Sequence, residues 1–514
     1  MKPLSTSIYT FSELIEGGYL YVDKTPDIHS LIREFKGQYF LSRPRRFGKS
    51  LLVSTLKAIF QGRRELFDGL YIVGTDYDWR TYPVIHLDLG SAAADSAEEL
   101  DRLLGYAIDD NARANGAVLS RTGCSPRFRE LVDILAERDG KVVILVDEYD
   151  KPLLGHLGQE SARDIQQVLK RFYSVIKTTE AHQRFALLTG VSKFSKVSVF
   201  SDLNNLTDLT MSRQSATLLG YTQEEVEANF PDYIERLAET LGKTVPATLD
   251  ELRVWYNGYC FHQDSPTLYN PVSLMKCLMN GEFKNYWFET GTPTFLLDIL
   301  KRSPVDLGDL VVPEDSFSVY EADRLHPLPL LFQTGYLTIK DATQTGRRRQ
   351  YRLGFPNFEI EESLSLAAAS SFAELEMEEA DSALSRMVRA LQSGDVDAML
   401  EHLKTFFHNV PHDIVERKEK YYQTIFFTVF KLVGAMIEAE VRTSIGRIDA
   451  VVKTDRHIYV FEFKLHGTAE EALRQIRDRQ YAEGFRDDPR KKTLVGVAFD
   501  PESHNLGTWL VEKL

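Results

Sequence analysis

Along the first 220 residues, short apolar runs alternate with longer stretches of helical period. QYFLS (38–42), PVIHLDL (83–89), KVVILVD (141–147) and RFALLTG (184–190) read as strands. Positions 142–146 are apolar without a break. That is the pattern of a strand buried on both faces, as in a parallel sheet covered by helices. The intervening segments are long enough for helices, so a βα-repeated α/β domain is expected over residues 1–220. From 221 to about 300 the pattern turns helical, and Thr222 three residues before Glu225 is the signature of a capping box. LFQTGYLTIK (331–340) and RRRQYRLGF (347–355) flank the polar stretch DATQTG and predict a hairpin turning there. Helices followed by such a hairpin suggest a helical, winged-helix-like lid over 221–360. Residues 361–400 are rich in Ala and Glu and predict a helical connector. The last block, 401–514, shows a long aromatic helix at about 419–440, strands at 447–453 and 457–464, a helix at 468–483 and a final strand, TLVGVAFD (493–500).

Length and composition narrow the class. A chain of 514 residues suggests about three domains. With 43 % hydrophobic and 26 % charged residues, wholesale disorder is excluded. The net charge of −14 argues against coating nucleic acid through bulk charge, but leaves room for a local basic groove. Cys124, Cys260 and Cys277 make neither a disulfide framework nor a CxxC pair, so a reducing cytoplasm is expected. The opening MKPLSTSIYTFSELIEGG lacks the apolar stretch of a signal peptide. The greasiest run, IFFTVFKLVGAMI (425–437), is too short to span a bilayer and contains Lys431. No membrane partner is therefore expected. The twelve His residues show no metal-ligand spacing, and no G-x-S-x-G sequence occurs.

Two patterns carry candidate chemistry in the first domain. SRPRRFGKS (42–50) follows a strand and precedes the helical LLVSTLKAIF, which is the context of a phosphate-binding loop. Backbone amides at the helix start would face phosphates. Lys49 would reach the β and γ phosphates of ATP, and the Ser50 hydroxyl would bind Mg²⁺. Gly48, Lys49 and Ser50 fit G-x-x-x-x-G-K-[ST], whereas Arg43 stands where the first Gly belongs. The strand VVILVD then ends in Asp147 and Glu148. Asp147 would hold the Mg²⁺ shell and Glu148 would orient or deprotonate the attacking water. Thr189 ends a third strand, where a polar side chain could sense the γ-phosphate.

These residues, with YVDKT (21–25), LVDEYDKPL (145–153), LTGVSKFSKVSVFSDLNNLTDLT (188–210), WYNGYCF (255–261) and LYNPVSL (268–274), resemble the bacterial AAA-ATPase-like family over roughly the first half of the chain. The resemblance implies an AAA-like P-loop ATPase domain. Its nucleotide would be held by Arg45, Arg46, Phe47, Gly48, Lys49, Ser50 and Leu51, with Asp147 and Thr189. The family itself carries SRPRRFGKS, which accommodates Arg43. Arg45 and Arg46 are open to two readings, as phosphate contacts or charge-stabilising fingers, or as solvated charges beside the site. Asn204, Asn205 and Asp208 fall in the resembling run without an evident role.

The second candidate site lies in the last block. In HIYVFEFKL (457–465), strand alternation puts Glu462 and Lys464 on one face and Phe461 and Phe463 on the other. Asp449, in GRID (446–449), lies on the preceding strand of an expected hairpin. Asp449 and Glu462 together would form a hard oxygen site suited to Mg²⁺ or Mn²⁺. Lys464 could orient or activate the water that attacks a phosphodiester. Asp449-x₁₂-Glu462-x-Lys464 resembles the PD-(D/E)xK nuclease superfamily, a restriction-endonuclease-like α/β fold that commonly follows this ATPase family. The resemblance adds Glu419 as a further acidic residue, with Glu440 on the same expected helix. It also adds Gln475, in a Gln-Ile…Tyr element with Tyr481, to position water or backbone.

Other features stay open. Arg347, Arg348, Arg349 and Arg352 could contact phosphates or protect an edge strand. Trp255, Tyr256, Tyr259 and Phe261 could line a groove or fill a core. The reading that results is an ATP-binding, ATP-hydrolysing protein with a metal-dependent nuclease-like domain, cutting DNA in preference to RNA under nucleotide control. The alternative is an ATP-driven signalling switch whose last domain only binds nucleic acid or a protein. A homo-oligomer is expected by analogy alone.

Overall fold

In the computed structural model the chain is described except for residues 157, 158, 160, 194–204, 288–295, 298, 299, 301–309, 318–326, 347, 410–428, 431, 432, 434–441, 445–447, 465, 482, 501 and 504. Residues 315, 345, 442–444, 448 and 449 are described by backbone alone. The expected helix at 419–440 therefore lies almost wholly outside the described residues, as do Asn204, Arg347, Glu419 and Glu440. Two compact units form, residues 1–286 with 312–357 and residues 287–311 with 358–514.

The four expected strands of the first unit are present as β1 (Gly37–Ser42), β2 (Val84–Asp88), β3 (Val142–Asp147) and β4 (Gln183–Gly190). With β5 (Thr207–Asp208) they form one sheet of order β2-β3-β4-β1-β5, parallel throughout. Every residue of β3 and β4 is buried. Val142, Ile144 and Val146, on one face of β3, pack under helices Ala97–Ala114, Cys124–Asp139 and Ala162–Thr178, and Val143 and Leu145 are buried on the other. The order sets the carboxyl ends of β1 and β3 on either side of β4. Ligands of open α/β sheets bind outside such carboxyl ends.

Residues 221–286 fold into helices, and the Thr222–Glu225 capping box forms as expected. Trp255 is half-buried and Tyr256, Tyr259 and Phe261 are buried, so that aromatic set belongs to the interior. The YVDKT run is explained by bracing. Asp23 accepts from the Thr25 and Tyr71 amides at 2.8 Å each, and Lys24 reaches Glu225 at 2.7 Å and the Thr217 carbonyl at 2.9 Å. The hairpin differs from expectation. β6 (Leu310–Pro313), β7 (Thr338–Thr345) and β8 (Arg348–Gly354) form a sheet of order β6-β8-β7. Residues 331–334 close a helix, Pro327–Thr334, and DATQTG is strand rather than turn up to Thr345. The chain reverses at Gly346, whose φ of 66° suits glycine. The stretch is polar because much of that strand is exposed. Arg349 and Arg352 face Glu314 and Asp341 at 3.5 Å.

In the second unit, helices Phe358–Ala373, Met377–Ser393 and Val396–His408 precede a sheet of order β13-β12-β11-β10-β9. Its strands are β9 (Arg442–Ser444), β10 (Ile448–Lys453), β11 (His457–Lys464), β12 (Lys491–Asp500) and β13 (Asn505–Lys513). β11 and β12 are parallel and are joined through helix Ala469–Asp478, which ends five residues sooner than expected; Gln480 just beyond it has a positive φ. That helix lies tightly on β12. A Cβ on Gly496 would fall 2.4 Å from the Ala469 carbonyl oxygen and 2.6 Å from the Leu473 amide, so only glycine admits the approach. β13 was not foreseen.

Candidate functional sites

The loop after β1 is built from unusual backbone. Arg46 has φ 64° and Gly48, at the helix N-cap, has φ 87°. Helix Lys49–Phe60 starts there, and its first amides have no partner within the helix. Lys49 is buried and donates to the carbonyls of Arg43 and Pro44, at 2.9 Å each. Burial lowers its pKa, while Asp147, Asp150 and Glu148 act in the opposite direction. Arg43 stands where phosphate-binding loops usually have glycine, and it is wholly buried. Its guanidinium donates to the carbonyls of Ser42 (3.0 Å), Thr210 (2.7 Å) and Ser215 (2.9 Å) and lies 4.0 Å from the Phe261 ring centre. Desolvation brings its pKa down to about 9. Arg43 is thus a brace between the loop and segment 210–215. Arg43→Gly, which restores the usual loop residue, should destabilise the protein by about 3 kcal/mol or more, since buried carbonyls lose a charged donor. Urea unfolding of the variant measures this, and an unchanged midpoint would refute the brace.

Of the other loop residues, Arg45 is exposed and Arg46 donates to the Tyr286 carbonyl at 2.5 Å. The Phe47 ring is buried edge-on against Tyr259 and Phe261 at 4.8 and 5.5 Å, so only its backbone can serve a ligand. Leu51 is half-buried.

The end of β3 faces this loop. Asp147 is buried and accepts from the Thr189 hydroxyl at 2.5 Å, which joins two of the expected residues. Glu148 has φ 53°, a left-handed conformation uncommon for a non-glycine residue and enriched at functional sites. Burial raises its carboxyl above the usual range. Asp150, not foreseen, accepts from the Val191 and Ser192 amides at 3.0 and 2.7 Å and ties the ends of β3 and β4 together. Ser50 and Asp147 line one cavity of 320 Å³ with Lys57, His86 and Asp88. Asp88 and His86 were also missed. The available signal was the acidic Asp88 near the end of PVIHLDL; the structure sets it in register with Asp147. A hydroxyl and a carboxylate on one cavity fit the donor set of a hard divalent cation.

The second site sits on β11. Glu462 is fully buried, beyond the half-exposed strand that an E-x-K triplet suggests. Its Oε1 accepts from Lys464 Nζ at 3.0 Å, and its Oε2 has no partner among the described residues. Lys464 also donates to the Gln475 side chain, so the helix on the sheet aims the lysine. Phe461 and Phe463 pack against Phe430. Asp449 is the register partner of Glu462, and the pairing of β10 with β9 shifts beside it, between Ile448 and Asp449. Such irregularities recur next to active sites. Tyr481 packs instead against the cluster around Ile458, Leu473 and Ile476. Among the described residues no three His, Cys, Asp or Glu side chains form a metal cluster. A buried carboxylate oxygen left without a donor among the described residues nevertheless suits a cation.

Comparison with known proteins matches the two regions in which these residues lie. A family described as predicted AAA-ATPase matches residues 5–200, and the PD-(D/E)XK nuclease superfamily matches residues 417–509. An uncharacterized protein of the vnfD 5′ region of Azotobacter chroococcum mcd 1 is 38 % identical over 530 residues, covering 100 % of this chain and 99 % of that one. Among solved structures, Cdc6p from Pyrobaculum aerophilum aligns over 64 % of this chain and 89 % of its own, at 12 % identity and a TM-score of 0.24. The ORC2 protein of Aeropyrum pernix covers 68 % and 93 %, at 12 % identity and 0.22. Those two likenesses are too shallow to carry weight. Matched end to end by its relative and in two regions by the family descriptions, the chain belongs to the predicted AAA-ATPases that carry a PD-(D/E)XK nuclease superfamily domain.

Proposed function

We propose that this protein binds and hydrolyses ATP at the Gly48–Ser50 loop and cuts phosphodiester bonds of DNA at Asp449, Glu462 and Lys464, with the nucleotide controlling the cut. The observation that carries the nuclease reading is Glu462. A wholly buried carboxylate with one oxygen on a lysine and the other without a partner among the described residues is costly as a structural element and useful as a ligand. Asp449 and Glu462 would hold Mg²⁺ or Mn²⁺, which stabilises charge on the scissile phosphate. Lys464, aimed by Gln475, would orient the attacking water. The reducing cytoplasm is the proposed location, supported by three buried free cysteines.

At the first site Lys49 would exchange its two carbonyl acceptors for β and γ phosphates, and Ser50 and Asp147 would hold Mg²⁺. Glu148 would take the proton of the attacking water, for which it must be ionised. Its raised pKa puts the acid limb of the ATPase pH profile above the usual glutamate range. Activity should fall as pH drops through that limb, and Glu148→Gln should remove most of the turnover. A limb at the ordinary carboxylate position would count against this base.

The test of the whole reading is cleavage of single- and double-stranded DNA with Mg²⁺ or Mn²⁺, with and without ATP. Asp449→Ala should end the cutting. If Lys49→Ala cut normally in both conditions, nucleotide control would be wrong.

A further inference from the structure

The sheet of the second unit carries opposite chemistry at its two ends. Glu462 and Lys464 occupy the far end of β11. At its start, three cations from different segments converge on His457. Lys491 is its register partner on β12, Lys513 pairs opposite Thr493 on β13, and the Arg456 carbonyl accepts the Lys491 amide at 3.0 Å. Arg456, Lys491 and Lys513 are exposed, and none has an ion pair among the described residues. The nearby carboxylates Asp488 and Glu512 are taken by their own arginines, Arg490 and Arg477. Asp455 is the remaining acid of the turn. The His457 ring stacks on Tyr459, and its Nδ1 is buried without a partner among the described residues. Burial, and after it the three cations, hold its pKa below the usual imidazole range.

Unpaired cations gathered in a chain of net charge −14 are a local exception. They extend across β11, β12 and β13, a span of about 10 Å at the usual strand spacing. A single small anion needs less. We infer that this edge, Arg456, His457, Lys491 and Lys513, binds the phosphate backbone of a nucleic-acid duplex. It lies five residues along β11 from Glu462, about 17 Å, so it would hold flanking duplex rather than the bond to be cut. The inference rests on the nuclease reading for its substrate, yet concerns binding alone.

The test is fluorescence anisotropy of the full chain with a 24-base-pair DNA duplex in EDTA, where no cutting occurs. The variant is Lys491→Glu with Lys513→Glu, and the charge-matched control is Lys2→Glu with Lys284→Glu. Affinity should fall at least 10-fold in the first and stay near wild type in the control. The slope of log affinity against log salt should become shallower by about 2, for two lost phosphate contacts. Lys491→Arg with Lys513→Arg should restore binding, which separates lost charge from lost fold. An unchanged affinity and slope overturns the inference, as does failure of the wild type to bind. Duplex binding that responds to the reversal, without cleavage in Mg²⁺, would keep this surface and remove the nuclease reading.

Discussion

Lys49→Ala should lower ATP turnover by about 100- to 1,000-fold, the usual cost of removing one preorganised charge donor from a phosphoryl-transfer site. Lys49 is buried at the mouth of a loop whose neighbours are acidic. Asp147, Asp150 and Glu148 all act on its charge, and its described partners are two carbonyls that share the ammonium. Such a group is held ready, since acceptors on an incoming phosphate chain can replace neutral carbonyls without moving the backbone. Alanine also leaves the carbonyls of Arg43 and Pro44 without their donor and the carboxylates without their counter-charge. A loss of about 1–3 kcal/mol of stability should accompany the lost turnover. Phosphate release and binding of a fluorescent ATP analogue, measured together, check both. Wild-type turnover in the variant would place the nucleotide elsewhere.

The second large effect belongs to Glu462→Gln. The change keeps shape and removes charge from a position with no access to water. Cleavage of DNA should drop at least about 100-fold. A readout besides activity is available. Mg²⁺ or Mn²⁺ should raise the melting temperature of the wild type, because a ligand that binds only the folded state stabilises it by mass action, about 2.7 kcal/mol at 100 times Kd. The variant should show little of that shift at the second unit's transition. Equal metal shifts in the two proteins would mean that the carboxylate holds no metal, whatever the cleavage assay says.

Patterns that depend on one element were legible in advance. β3 announced itself through five consecutive apolar residues, and the Thr222 cap through its spacing. What failed needed two elements at once. The DATQTG stretch looked like a turn because polarity was taken for reversal, whereas much of the strand is simply exposed. β13 alternates between half-buried and exposed positions over much of its length, a weak signal for a partner known only once β12 is placed. Arg43 looked like a departure from a loop motif. Its use is to bind three carbonyls, two of them about 170 residues distant. Gln475 entered through resemblance to a family, but its partner became visible only when helix Ala469–Asp478 was laid on the sheet. Asp449 and Glu462 were foreseen as a pair, and the backbone register joins them.

Gly496 carries no charge and no side chain, yet the distance between helix and sheet is set there. A methyl group at that position must push the helix outward, and Gln475 would leave Lys464 with it. If the second site cuts as proposed, a substitution at this neutral position should silence it while every charged residue stays intact. On that reading, the Asp, Glu and Lys of the motif are not sufficient for cutting, and the residue at 496 decides whether the lysine stays aimed.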